Sequence, residues 1–99
     1  MKIEIAGINY RKGIDYYVGR SFGYLQPEPT NQHDPNAIGI YSTDGHHLGY
    51  VPALQTATIR ALGLQFPIPV DVEILQGFDE IERRPFFWGS VYIRTTLKQ

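Results

Sequence analysis

Between Pro27 and Asn36 the chain reads P-E-P-T-N-Q-H-D-P-N, a stretch rich in short polar side chains. Asn31, Asp34 and Asn36 are residue types that cap backbone turns by bonding to nearby N–H groups, and the same groups bind a ligand when the loop presents them outward. Tyrosine is in surplus, with seven Tyr beside five Phe and one Trp. Rings of this kind bury much apolar area, and a phenol left at the surface is a ready ligand contact. Tyr16, Tyr17 and Tyr50 are the ones whose placement matters below. His46 and His47, with Asp44 nearby, raise the question of a metal, but adjacent histidines in a strand face opposite ways, and His33 lies a strand away. No metal site is expected. A glycine-rich phosphate loop, a nucleophile elbow and a paired-carboxylate spacing are all missing, so the chain reads as a binding module rather than an enzyme, with no cofactor. A nuclease built on Asp34 and its neighbours is the residual enzymatic reading.

These residues need a scaffold. Lys2 to Ile8 alternates, with Ile3 and Ile5 on one side, which is the period of a half-buried strand. Tyr16, Tyr17 and Val18 prefer extended backbone, and strands are expected on both sides of a bend at Gly19, the second running to Pro27. As neighbours in a strand, Tyr16 and Tyr17 point to opposite faces, so one is core and the other free. Ala37 to Tyr41 places Ile38 and Ile40 on one face, and Asp44-Gly45 is a tight-turn dipeptide leading into His46 to Val51, giving a hairpin. Pro52 suits a first helical position; Leu54, Ala57, Thr58, Ala61 and Leu62 recur at helical spacing before Gly63 closes the helix. Val70, Val72 and Ile74 alternate with Asp71 and Glu73, a polar turn covers Gly77 to Arg84, and a last strand runs from Phe86 to Arg94. Phe86, Phe87 and Trp88 cannot all enter one sheet face, so core plus a barrel-end plug accounts for them. The fold expected is mainly β: a small OB/SH3-like barrel of about six strands with one short α-helix.

At 99 residues, with no cysteine, 42% hydrophobic and 19% charged, residues 1–99 make a single domain held by packing alone. No apolar stretch is long enough for a membrane span, and no signal peptide precedes the first strand, so the expected location is cytoplasmic. A net charge of −1 excludes a protein that coats nucleic acid by charge. Five of the ten acids fall between Asp71 and Glu82, which reads as a solvated face.

Glu28-Pro29-x-Asn31-x-x-Asp34-x-Asn36-Ala37-Ile38, then a strand, a turn with Gly45, and Gly49-Tyr50 entering a helix, with Tyr16-Tyr17-x-Gly19 upstream, strongly resembles the HIRAN domain. That module occurs near the N-terminus of some SNF2-type helicases of DNA-damage tolerance and as short bacterial and phage proteins; the resemblance spans residues 3 to 76. It implies a modified OB-like or SH3-like barrel that holds the 3′-hydroxyl end of single-stranded DNA. On this reading Asp34 accepts a hydrogen bond from the free 3′-hydroxyl and repels an end carrying phosphate. Asn31 orients that carboxylate or bonds the terminal nucleotide. Tyr16, Tyr17 and Tyr50 stack on unpaired bases at about 1–3 kcal/mol per base, and His33 keeps a stacking plane where a helicase relative has a larger ring. The chain departs from the helicase pattern at Asp15, where a basic residue is expected, and at Ala53, where a lysine would approach phosphate. Arg20, Arg60, Arg83 and Arg84, or the N–H groups opening the Pro52 helix, are the remaining candidates for phosphate. The family's usual company implies a helicase or nuclease encoded separately as a partner. The alternative is a protein-interaction or accessory module without DNA binding, which the acid at position 15 and the net charge favour.

Overall fold

The computed structural model describes residues 1–94. Strands β1 (Lys2–Glu4), β2 (Gly19–Pro27), β3 (Ile38–Ser42), β4 (His47–Tyr50), β5 (Ile68–Asp79) and β6 (Arg84–Ile93) form one antiparallel sheet in the order β1-β6-β5-β2-β3-β4. The period-two pattern sends Leu25, Ile38, Ile40, Leu48, Ile74 and Val91 to the inner face, where all are fully buried. Each such side chain contributes about 1.5–3 kcal/mol by leaving water. The sheet curls until its edges meet. After β1, Ile5 N–H still donates to Gly89 of β6 at 3.0 Å, whereas Ala6 exchanges two 2.8 Å hydrogen bonds with Tyr50 of β4. One bridge thus joins the first and last strands of the order, and it relies on Gly49: a Cβ there would sit 2.6 Å from the Ala6 carbonyl oxygen and 2.5 Å from Ile5 Cγ2.

Four local expectations are corrected. Tyr16 and Tyr17 lie in a 3-10 turn, Ile14–Tyr17, entered from Gly13 at φ 75°, so they do not alternate across a sheet. Only β2, beyond Gly19, is extended. Helix α1 (Thr56–Ala61) follows a 3-10 turn, Ala53–Gln55, and packs through Thr56 and Ile59; Leu54 is 96% exposed and Leu62 40%. The tighter first turn rotates the apolar set expected from uniform helical spacing out of the core. The β5–β6 hairpin is longer than expected, pairing out to Asp79 and Arg84, beyond the point where β2 leaves β5 at Ile74. On this arm Phe87 packs against the core, while Phe86 and Trp88 stack on each other at 5.2 Å and stay 42% and 43% exposed, so they do not plug the barrel.

Candidate functional site

The loop between β2 and β3 is held by its own polar groups. Glu28 N–H donates to Ala37, Asn31 N–H to the Glu28 carbonyl and Ala37 N–H to the Asp34 carbonyl, all within 3.0 Å. Asn31 uses its whole amide. Its Oδ1 accepts from His33 N–H (2.8 Å) and Asp34 N–H (3.0 Å), and its Nδ2 donates to Glu28 Oε1 (3.2 Å) and the Tyr50 hydroxyl (3.3 Å). An asparagine has two donor hydrogens and two acceptor lone pairs, so none is left over. Asp34 differs: Oδ1 accepts from Asn36 N–H at 2.9 Å, an Asx turn, and Oδ2 has no hydrogen-bond partner among the described residues. Asn36 presents only this backbone N–H to Asp34.

Asn31, His33, Asp34 and Tyr50 line one open pocket of about 250 Å³, with Ala37, Val51 and Ala53 as its apolar wall. β4 positions Tyr50 through its bridge to Ala6, and the loop positions the other three. Tyr16 and Tyr17 are not in this pocket. They border a separate hollow of about 290 Å³ with Phe22 and Asp44, where Tyr17 donates to Asp44 Oδ2 (2.8 Å) and stacks on His46 at 4.9 Å. Tyr16 is 81% exposed. Desolvation and the Asp44 carboxylate raise the Tyr17 phenol, while hydrogen bonds from Ser42 and Tyr17 lower Asp44.

Behind the pocket lies a cluster that sequence reasoning missed. Tyr41 donates a short hydrogen bond to Glu28 Oε2, and its ring stacks on His47 at 4.9 Å, with Tyr50 edge-on to His47 at 4.7 Å. Gly39 makes the space: a Cβ there would lie 2.6 Å from Glu28 Oε2 and 2.7 Å from Tyr41 Cε2. Arg11 donates to His47 Nδ1 at 2.9 Å, which leaves Nε2 carrying the proton it gives to the Gly49 carbonyl, also at 2.9 Å. His47 is therefore neutral, in keeping with a pKa lowered by burial; Glu28 opposes that shift and Arg11 reinforces it. Burial pushes Glu28 up, but hydrogen bonds from Tyr41 and Asn31 outweigh it and hold the carboxyl below its usual value. Burial and Glu28 raise the Tyr41 and Tyr50 phenols. Glu28 stood within the recognised motif and meets Asn31 within its own loop, yet Tyr41 and His47 come from β3 and β4, and only cross-strand register brings them to it. His46 turns the other way and meets the Lys12 carbonyl through Nε2 at 2.7 Å.

The sequence model described as the HIRAN domain matches residues 1–65. Among solved structures, the HIRAN domain of human HLTF superposes with a TM-score of 0.52 at 20% identity, covering 93% of this chain and 73% of that one. A protein from Lactobacillus plantarum gives a TM-score of 0.52 at 23% identity, covering 90% of both chains. No curated protein matches.

Proposed function

The chain belongs to the HIRAN domain family, whose members are in general DNA-binding modules, and from that premise we propose that it captures a free 3′-hydroxyl end of single-stranded DNA in the pocket of Asn31, His33, Asp34 and Tyr50. The observation that carries this reading is the Asp34 carboxylate at the pocket lining: Oδ1 is fixed by the Asx turn, and Oδ2, with no hydrogen-bond partner among the described residues, is left to accept from a ligand. A terminal hydroxyl donates to it, whereas a terminal phosphate meets like charge with Glu28 close behind. Asn31, fully bonded, positions the loop rather than touching the ligand. His33 and Tyr50 offer planes for the terminal base or sugar, a sequence-tolerant contact worth about 1–3 kcal/mol per base. Tyr16, being open, suits a base further along the strand. No step of this reading breaks a covalent bond, so the domain binds and does not catalyse. The setting that follows is repair or replication-fork processing, beside a separately encoded helicase or nuclease. Among the described residues no helix is long and apolar enough to cross a membrane.

Fluorescence anisotropy with a 5′-labelled oligonucleotide ending in a 3′-hydroxyl or a 3′-phosphate tests the proposal. The hydroxyl form binds; Asp34→Asn, which keeps an acceptor for Asn36 N–H, weakens it about tenfold by losing a charge-assisted hydrogen bond. Equal binding of both ends refutes end capture. A second reading, docking of a partner protein, rests on the outer sheet face, where Phe22 (60%), Leu75 (42%) and Trp88 (43%) are exposed. Capture of a host protein that survives nuclease treatment, with no oligonucleotide binding, supports that reading instead.

A further inference from the structure

A pocket that carries Asp34 and Glu28 meets a polyanion at a disadvantage, because the first phosphate lies one sugar away from the hydroxyl that Asp34 holds. Something near the loop must offset that charge. The described cations are otherwise engaged or turned away. Lys2 pairs with Glu4 (3.7 Å), Arg20 with Glu73 (3.7 Å) and Arg94 with Asp71 (2.8 Å), the last two beside a hollow on the outer sheet face lined by Phe22 and Tyr92. Arg11 is turned inward to His47. Lys12 lies on the turn before Tyr16, and Arg83 and Arg84 sit at the far hairpin tip. Arg60 remains. It projects from the last turn of α1, is exposed, and its Nη2 donates to the Asn36 carbonyl at 3.1 Å. Asn36 is the residue whose N–H fixes Asp34 Oδ1, so guanidinium, loop and carboxylate form one connected chain. No carboxylate lies within ion-pair distance of Arg60 among the described residues.

We propose that Arg60 is a phosphodiester subsite of this pocket, its guanidinium anchored by one N–H to the Asn36 carbonyl and presenting the others to the phosphate that follows the captured 3′-terminal sugar. The inference rests on the end-capture reading of the pocket. A guanidinium is the suitable group: it stays charged, it is planar, and after one hydrogen bond it still offers a fork of donors that fits two phosphate oxygens. The arrangement divides the work. Asp34 reads the terminal hydroxyl, and Arg60 supplies attraction that is the same for every sequence.

The test is the salt dependence of binding of a short 5′-labelled oligothymidylate with a 3′-hydroxyl, measured with the full chain. Arg60→Gln weakens binding several-fold at low salt and lowers the slope of log affinity against log salt by about 0.7, the value for one phosphate contact on a single strand. Arg60→Lys retains the slope, and Arg94→Gln, on the outer face, leaves it unchanged. A merely structural role for the Asn36 contact would weaken binding at every salt concentration with the slope intact, and that result overturns the proposal. Binding by the wild-type chain with an unchanged slope in R60Q refutes Arg60 alone; absence of wild-type binding refutes the reading of the pocket and Arg60 together. Thermal melting of R60Q shows whether the variant is folded, and the R60K comparison holds where R60Q is not.

Discussion

Replacing Asn31 by alanine removes four hydrogen bonds at once, two from backbone N–H groups and two to Glu28 and Tyr50. A typical internal hydrogen bond contributes about 0.5–1.5 kcal/mol net, and a partly buried acceptor left alone loses more than an exposed one. The His33 N–H is exposed and finds water, so it adds little. The Asp34 N–H and the contacts to Glu28 and Tyr50 are part-buried, and together they bring the total to about 2–3 kcal/mol. For a domain of this length each kcal/mol moves Tm by about 4–8 °C, so Asn31→Ala melts roughly 10–20 °C below the wild type. Asn31→Asp separates the two halves of the amide. It keeps the oxygen that caps the loop but loses both donors and sets a second carboxylate against Glu28, so its loss is of similar size though the loop turn survives. Asp34→Asn, which disturbs one Asx turn, shifts Tm by only a few degrees while abolishing preference for the hydroxyl end. Circular dichroism melts of the three variants beside their oligonucleotide affinities give the comparison. Melting of Asn31→Ala within about 3 °C of the wild type refutes the claim that Asn31 is the structural pin of the pocket.

Acid destabilises this fold in two stages. His47 has a folded pKa below its ordinary 6.5, so as pH falls through 6.5 the unfolded chain takes up a proton that the folded chain refuses, and stability drops. Glu28, held below 4.5, adds a second loss at lower pH. In Tm measured against pH, His47→Gln flattens the first stage, and an unaltered profile between pH 7 and 5.5 in that variant contradicts the neutral His47. Gly49→Ala drives a Cβ into the Ala6 carbonyl, a backbone atom with little room to yield, and destabilises by about 2 kcal/mol or more; urea titration reads this, and a loss below about 0.5 kcal/mol contradicts the strand closure described. Ile59→Ala costs about 2–5 kcal/mol in the same titration, whereas Leu54→Gln changes stability by less than about 0.5, because one side chain is buried and the other is 96% exposed.

Legibility in the sequence tracked how local each signal was. Ile38 with Ile40, Val70 with Val72 and Ile74, and the Asp44-Gly45 turn announced strands because alternation and turn chemistry act over a few residues. Family membership was equally plain from the spacing between Glu28 and Tyr50. Tyr16 and Tyr17 misled because their extended preference gives way to a left-handed Gly13 and a 3-10 turn. The helix existed, but its buried side was misjudged, since a 3-10 entry changes the angle between Leu54 and everything after it. In the pocket, Asn31, His33, Asp34 and Tyr50 do come together, because one loop and the end of one hairpin carry them all. The Glu28, Tyr41, His47 and Arg11 cluster was out of reach: nothing in the sequence says that position 39 must be empty so that a carboxylate and a phenol can share its space.

The seam between Ala6 and Tyr50 is only two hydrogen bonds wide, and the residue on one side of it has two duties. Its backbone locks the barrel and its hydroxyl meets Asn31 at the pocket wall. A breathing motion that parts the seam therefore carries a wall of the pocket with it, and a molecule gripping that wall acts as a clasp on the whole cylinder. Occupancy is thus written into the amide exchange of Ala6, whose N–H crosses the seam to the Tyr50 carbonyl: its deuterium uptake slows when the pocket fills and quickens when it empties.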